Sequence, residues 1–106
     1  RIGHPLGLGG TESEHRQTGV VDIQTADTYI RAGFDALRNG TCSDALDSLL
    51  RAAYATGSVW THSSYTKGSL GTKLSPGRLM DRLVDLQYRL RDKCIEHLPE
   101  VERLKR

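Results

Sequence analysis

Apolar positions fall into three blocks along this chain, separated by turn-forming residues. From about Thr25, the residues Ala26, Tyr29, Ile30, Gly33, Phe34 and Leu37 recur at three- and four-residue intervals, which places them on one face of a helix. Asn39-Gly40 ends that helix, because glycine enters the left-handed conformation without a steric penalty. Thr41 or Ser43 then caps a second helix, with Asp44 at the positive end of its dipole. Its apolar face is Cys42, Ala45, Leu46, Leu49, Leu50 and Ala53, and Gly57 is the expected stop. Two helices joined by so short a turn run antiparallel. Ser75-Pro76 opens a third helix, with serine as cap and proline at the first helical position. Leu79, Leu83, Leu86 and Leu90 run down one side of it, flanked by Met80, Val84 and Ile95, out to about His97, with Pro99 as its limit. This third helix is expected to be the longest.

Two stretches lack such periodicity. In residues 58–74, Val59, Trp60 and Tyr65 stand among serines, threonines and glycines, so the second helix either continues past Gly57 or gives way to a short turn and a loop. Residues 1–19 are rich in Gly, Thr, Ser, Glu and His and show neither a helical nor a strand period, and Val20, Val21 and Ile23 form a short apolar step after them. The expectation is all-α: a small bundle of three main helices, an antiparallel hairpin plus a longer third helix, with an extended glycine-rich N-terminal arm. The arm covers 1–22, the helical domain 23–98 and a charged tail 99–106. The expected core is Tyr29, Phe34, Leu46, Leu49, Leu83, Leu86 and Leu90.

The hairpin from Ala32-Gly33 through Asn39-Gly40 and Ala45 to Ala52-Ala53 and Gly57 resembles the small-residue pattern of a tetratricopeptide-type helical hairpin. The step Gly40, Cys42, Ala45, Leu46 is also similar to a Gly-x-Cys-x-x-Ala-Leu spacing in small uncharacterised proteins encoded by bacterial viruses. Both resemblances stop at about residues 25 to 57, and the chain holds no second copy of the pattern. The second implies a viral particle as a setting.

Composition narrows the chemistry. With 106 residues the chain fits one domain with a modest core, and 37% hydrophobic with 26% charged residues is ordinary for a globular protein. No apolar run approaches the roughly 20 residues that cross a bilayer, and residues 2–10 lack the continuous apolar stretch of a secretory signal. A net charge of +2 is weaker than most nucleic-acid-binding domains carry. Cys42 and Cys94 lie far apart in sequence with no metal-ligand neighbours, so buried reduced thiols are expected, consistent with cytoplasmic synthesis and possible incorporation in a virion.

No motif points to catalysis, a cofactor or a metal. His4, His15, His62 and His97 show no i, i+4 pairing. Gly7-Leu8-Gly9-Gly10 lacks the strand, lysine and helix of a phosphate loop. Ser63 or Ser64 beside His62 has no nucleophile-elbow context. An enzymatic reading needs Cys42, His62 and a carboxylate to converge. Asp81, Asp85 and Asp92 alternate with Arg78, Arg82, Arg89 and Lys93, as on a solvated or interface face. The residues expected to meet a partner are Leu6, Leu8, Val20, Trp60, Tyr65, Arg78, Arg82 and Arg89. The functional expectation is a non-enzymatic structural or interaction subunit of a larger homo- or hetero-oligomeric assembly, with the arm contacting neighbouring subunits. The alternative is a small nucleic-acid-binding or regulatory protein that uses the basic residues around the third helix.

Overall fold

The computed structural model describes residues 10–66 and 70–94. The expectations for His4, Leu6, Leu8, the continuation of the third helix to His97 and the tail therefore lie outside the described residues. Among the described residues the architecture is a bundle of three helices: α1 (Glu12–Arg38), α2 (Cys42–Ser63) and α3 (Pro76–Lys93).

Helix α1 starts eleven residues before the expected start of the helical domain, which corrects the reading of residues 12–22 as extended arm. The reason is local. Thr11 accepts a hydrogen bond from the Glu14 backbone N–H, and the Glu14 carboxylate accepts one from the Thr11 N–H, a reciprocal capping box. The first three turns then bury His15, Gly19 and Ile23. A polar ring and a glycine leave no apolar stripe, so Val20 and Val21 look like an isolated step although they sit mid-helix. With 27 residues α1 is the longest helix and α3, with 18 described residues, the shortest.

At the other end of α1 the expected stop is present. Gly40 has φ +76, its N–H donates to Leu37 O, and the Thr41 N–H donates to Ala36 O at 2.9 Å. This pair of bonds is a Schellman closure, which uses up carbonyls that the helix end leaves free. The Thr41 hydroxyl bonds back to Ala36 O as well, so it secures the end of α1 and does not cap α2. Gly57 does not stop α2, which runs on to Ser63. α3 begins as expected, with the Ser75 hydroxyl accepting from the Arg78 N–H and Pro76 at the first position.

Contacts order the helices along one another. Asp22 meets Ser58 and His15 meets His62, so α1 and α2 are antiparallel. Asp27 meets Arg82, and the Arg89 guanidinium lies 5.8 Å from the Phe34 ring, so α3 runs alongside α1 in the same direction. Ala26 and Ala36 on α1, with Ala45, Ala52 and Ala55 on α2, are buried small residues that let the hairpin helices approach closely. Leu79, Leu83, Leu86 and Leu90 of α3 fill the space against them. At Gly33 the fit is tightest, since a Cβ there would stand 2.7 Å from Leu86 Cδ2. Ile30, Leu37, Leu49 and Val59 complete the centre, whereas Tyr29, Phe34 and Leu46, expected in the core, are only partly buried at its rim. Tyr29 is covered by Arg51 of α2 and Phe34 by Arg89 of α3, each guanidinium 5.8 Å from the ring.

Cys42 and Cys94 form a disulfide, with their Cα atoms 5.8 Å apart. This overturns the expectation of reduced thiols. The two positions are 52 residues apart in sequence. The antiparallel packing of α2 and α3 brings the first residue of α2 beside the residue that follows the end of α3.

Candidate interaction surface

The two exposed faces of α2 and α3 differ in chemistry. Helix α3 carries eight acidic and basic side chains in its 18 residues, and six large hydrophobic residues of α2 and α3 stay exposed: Leu50, Tyr54, Trp60, Met80, Val84 and Tyr88. Helix α2 carries only Asp44, Asp47 and Arg51, besides the buried His62, as acidic or basic groups in 22 residues. On an exposed helix the solvent side is normally charged. Here Leu50, Tyr54, Gly57 and Trp60 follow one another at helical spacing on that side, with Leu46 and Ala53 half-buried beside them. Tyr54 is 71% exposed and Trp60 46%. A Cβ built on Gly57 would meet nothing within 4 Å, so the stripe has a notch between its two aromatic rings.

The residues expected to meet a partner are distributed as follows. Trp60 lies on the α2 stripe. Tyr65 follows α2, and its ring stacks on His15 with centroids 4.6 Å apart. Val20 packs half-buried against the core. Arg78 is exposed in the first turn of α3. Arg82 turns inward to Asp27, and Arg89 binds Asp85 at 3.2 Å while covering Phe34. The three arginines therefore do not form one basic face. Arg16, Arg31, Arg38 and Arg51 are likewise each matched to an acidic side chain on the same helix. Burial opposes the charge on Asp27, but hydrogen bonds and charge from Arg31 and Arg82 outweigh it and hold the carboxyl below its ordinary value.

The residues weighed for catalysis do not converge. Cys42 opens α2 and His62 stands at its far end, about 30 Å away at 1.5 Å of rise per residue. The Ser64 hydroxyl donates to Thr61 O. Among the described residues no group of three or more His, Cys, Asp or Glu gathers around a point. A shallow surface depression on α1 is lined by Val21, Gln24, Thr25, Thr28 and Tyr29. Among the described residues no helix is long and apolar enough to cross a membrane.

Sequence reasoning passed over one feature. His15 and His62 are 4% and 5% exposed, and their Nδ1 atoms stand 2.9 Å apart in a hydrogen bond. They are 47 residues apart in sequence, and no spacing rule joins them.

Comparison with protein-family models, with curated proteins and with solved structures finds no match for this chain.

Proposed function

We propose that the chain is a structural interaction subunit that assembles with a second copy of itself through the outer face of α2. The observation that carries this reading is the run of Leu50, Tyr54, Gly57 and Trp60 on an exposed helix face with hardly any charge. Contiguous exposed apolar surface is uncommon on proteins that act alone and is characteristic of association sites. Aromatic side chains supply most of the energy in such contacts.

Two properties favour a second copy as the occupant. The stripe alternates large and absent side chains, Tyr54 and Trp60 on either side of the Gly57 notch, so one face can seat the other across a two-fold axis. Its flank carries one charge of each sign, Asp47 with Arg51 at 3.0 Å, so two identical faces meet without net repulsion. A phosphate backbone would find Asp47 on the same surface and no clustered cations. The Cys42–Cys94 bond supports a setting outside the reducing cytosol.

The test is the solution mass of the oxidised chain by light scattering across a concentration series, for wild type and for Tyr54→Lys. Tyr54 is exposed, so its replacement is expected to change folding stability by no more than about 0.5 kcal/mol. A wild-type dimer or larger species that becomes monomeric in Tyr54→Lys, with little dependence on salt, supports the reading. A wild-type monomer at every concentration overturns it, and steep salt-dependent binding to DNA or RNA would install the nucleic-acid alternative.

A further inference from the structure

The His15–His62 contact has no part in self-association and sits at the end of the bundle away from the disulfide. A hydrogen bond between two ring nitrogens contains a single proton: one Nδ1 donates it and the other accepts through its lone pair. We infer that this pair is a proton-operated latch between the start of α1 and the end of α2. The latch is closed while at least one Nδ1 keeps its lone pair and opens when both rings are protonated.

The surroundings separate the first added proton from the second. On α1, Glu12 and Arg16 flank the pair and are joined to each other at 3.0 Å. From the turn after α2, Tyr65 lies over the face of His15. Farther along the helices Asp22 accepts the Ser58 hydroxyl at 2.5 Å, and on the loop side Leu70 packs on Gly19. A first extra proton placed on the far ring nitrogen, Nε2, leaves the Nδ1 contact intact and makes it charge-assisted. A second proton sets one N–H against another and puts two positive charges in one buried contact. The N-terminal end of α1 disfavours positive charge at His15 whereas the C-terminal end of α2 favours it at His62, so the exclusion of the second proton rests on the Nδ1 contact itself.

The sign follows from proton counting. The open form takes up a proton that the closed form excludes, so opening is favoured as pH falls through the range where imidazole titrates. Opening would uncover Gly19 and Leu70, which is 7% exposed in the closed form. The opposite end does not follow, because Cys42 and Cys94 join α2 to the end of α3.

The test is residue-resolved amide hydrogen exchange on the full oxidised chain at pH 7 and pH 5, corrected for intrinsic exchange rates. Protection of residues 12–20 and 58–63 is expected to fall by up to roughly tenfold per pH unit, the limit that one extra proton sets, while residues 42–50 hold theirs. His62→Gln keeps a polar side chain that does not titrate, and should remove the pH dependence. Should that variant fail to fold, ring-nitrogen NMR of the wild type gives the answer: one Nδ1 protonated and one bare at pH 7, with the two rings titrating as a coupled pair. Equal protection at both pH values, or two rings titrating independently, overturns the latch.

Discussion

The two ends of this bundle are held by unlike means. At one, a Schellman turn passes α1 into α2 within three residues and the Cys42–Cys94 disulfide fastens α2 to the end of α3. At the other, α1 begins on a capping box and meets α2 through two buried imidazoles sharing one proton. The first fastening is covalent and indifferent to moderate pH, whereas the second depends on one proton. The difference teaches that a small core need not be equally secure everywhere. Four leucines of α3 fix the middle, and the strength of each end is set by the bond the chain places there.

The largest expected effect breaks the covalent end. Replacing Cys42 and Cys94 together by serine releases a loop of 52 residues and should cost about 4 kcal/mol in urea or thermal unfolding. A cost under about 1 kcal/mol would mean that packing alone holds that end. Leu86→Ala tests the shared middle. Leu86 is fully buried against Gly33, so about 3 kcal/mol is expected, equal at pH 7 and pH 5. A domain as stable as wild type would refute this packing.

Smaller effects sharpen the description of the imidazole end. Thr11→Ala removes one half of the capping box and should destabilise by about 1 kcal/mol, seen as faster amide exchange in the first turn of α1. Loss concentrated instead at residues 42–50 would contradict the assignment of that cap. The smallest effect concerns Asp27, between the ends. Its folded-state carboxyl lies below the ordinary value of 3.8, so its ion pairs with Arg31 and Arg82 stabilise the fold above that pH and are lost as pH falls below it. Asp27→Asn should flatten the stability profile below about pH 4 and leave the pH 5 to 7 range unchanged. A change in the upper range would mean that Asp27, and not the histidines, governs the response there.

Much of the fold was legible before any geometry. The leucine ladder of α3, its Ser75-Pro76 start and the Asn39-Gly40 stop each rest on local rules that the packed chain obeys. The early start of α1 was hidden because its buried positions are His15 and Gly19, which carry no apolar period, although Thr11 and Glu14 stand at capping-box spacing. Gly57 reads as a helix stop, but the packing of Val59 and His62 carries α2 past it. The disulfide and the histidine pair each join residues about fifty positions apart. Nothing local encodes such meetings, which follow only from how the three helices run past one another. Trp60 was visible as a surface candidate, whereas Arg82 and Arg89 looked like part of a basic face until their acidic partners were placed.

Residue-resolved amide exchange of the full chain, under oxidising conditions at pH 7 and pH 5 and again after reduction at pH 7, tests the contrast between the ends most directly. The predicted result is a crossed pattern: acid lowers protection in residues 12–20 and 58–63, and reduction lowers it in residues 42–50 and 86–93. Protection that falls evenly at both ends under either treatment would contradict the account.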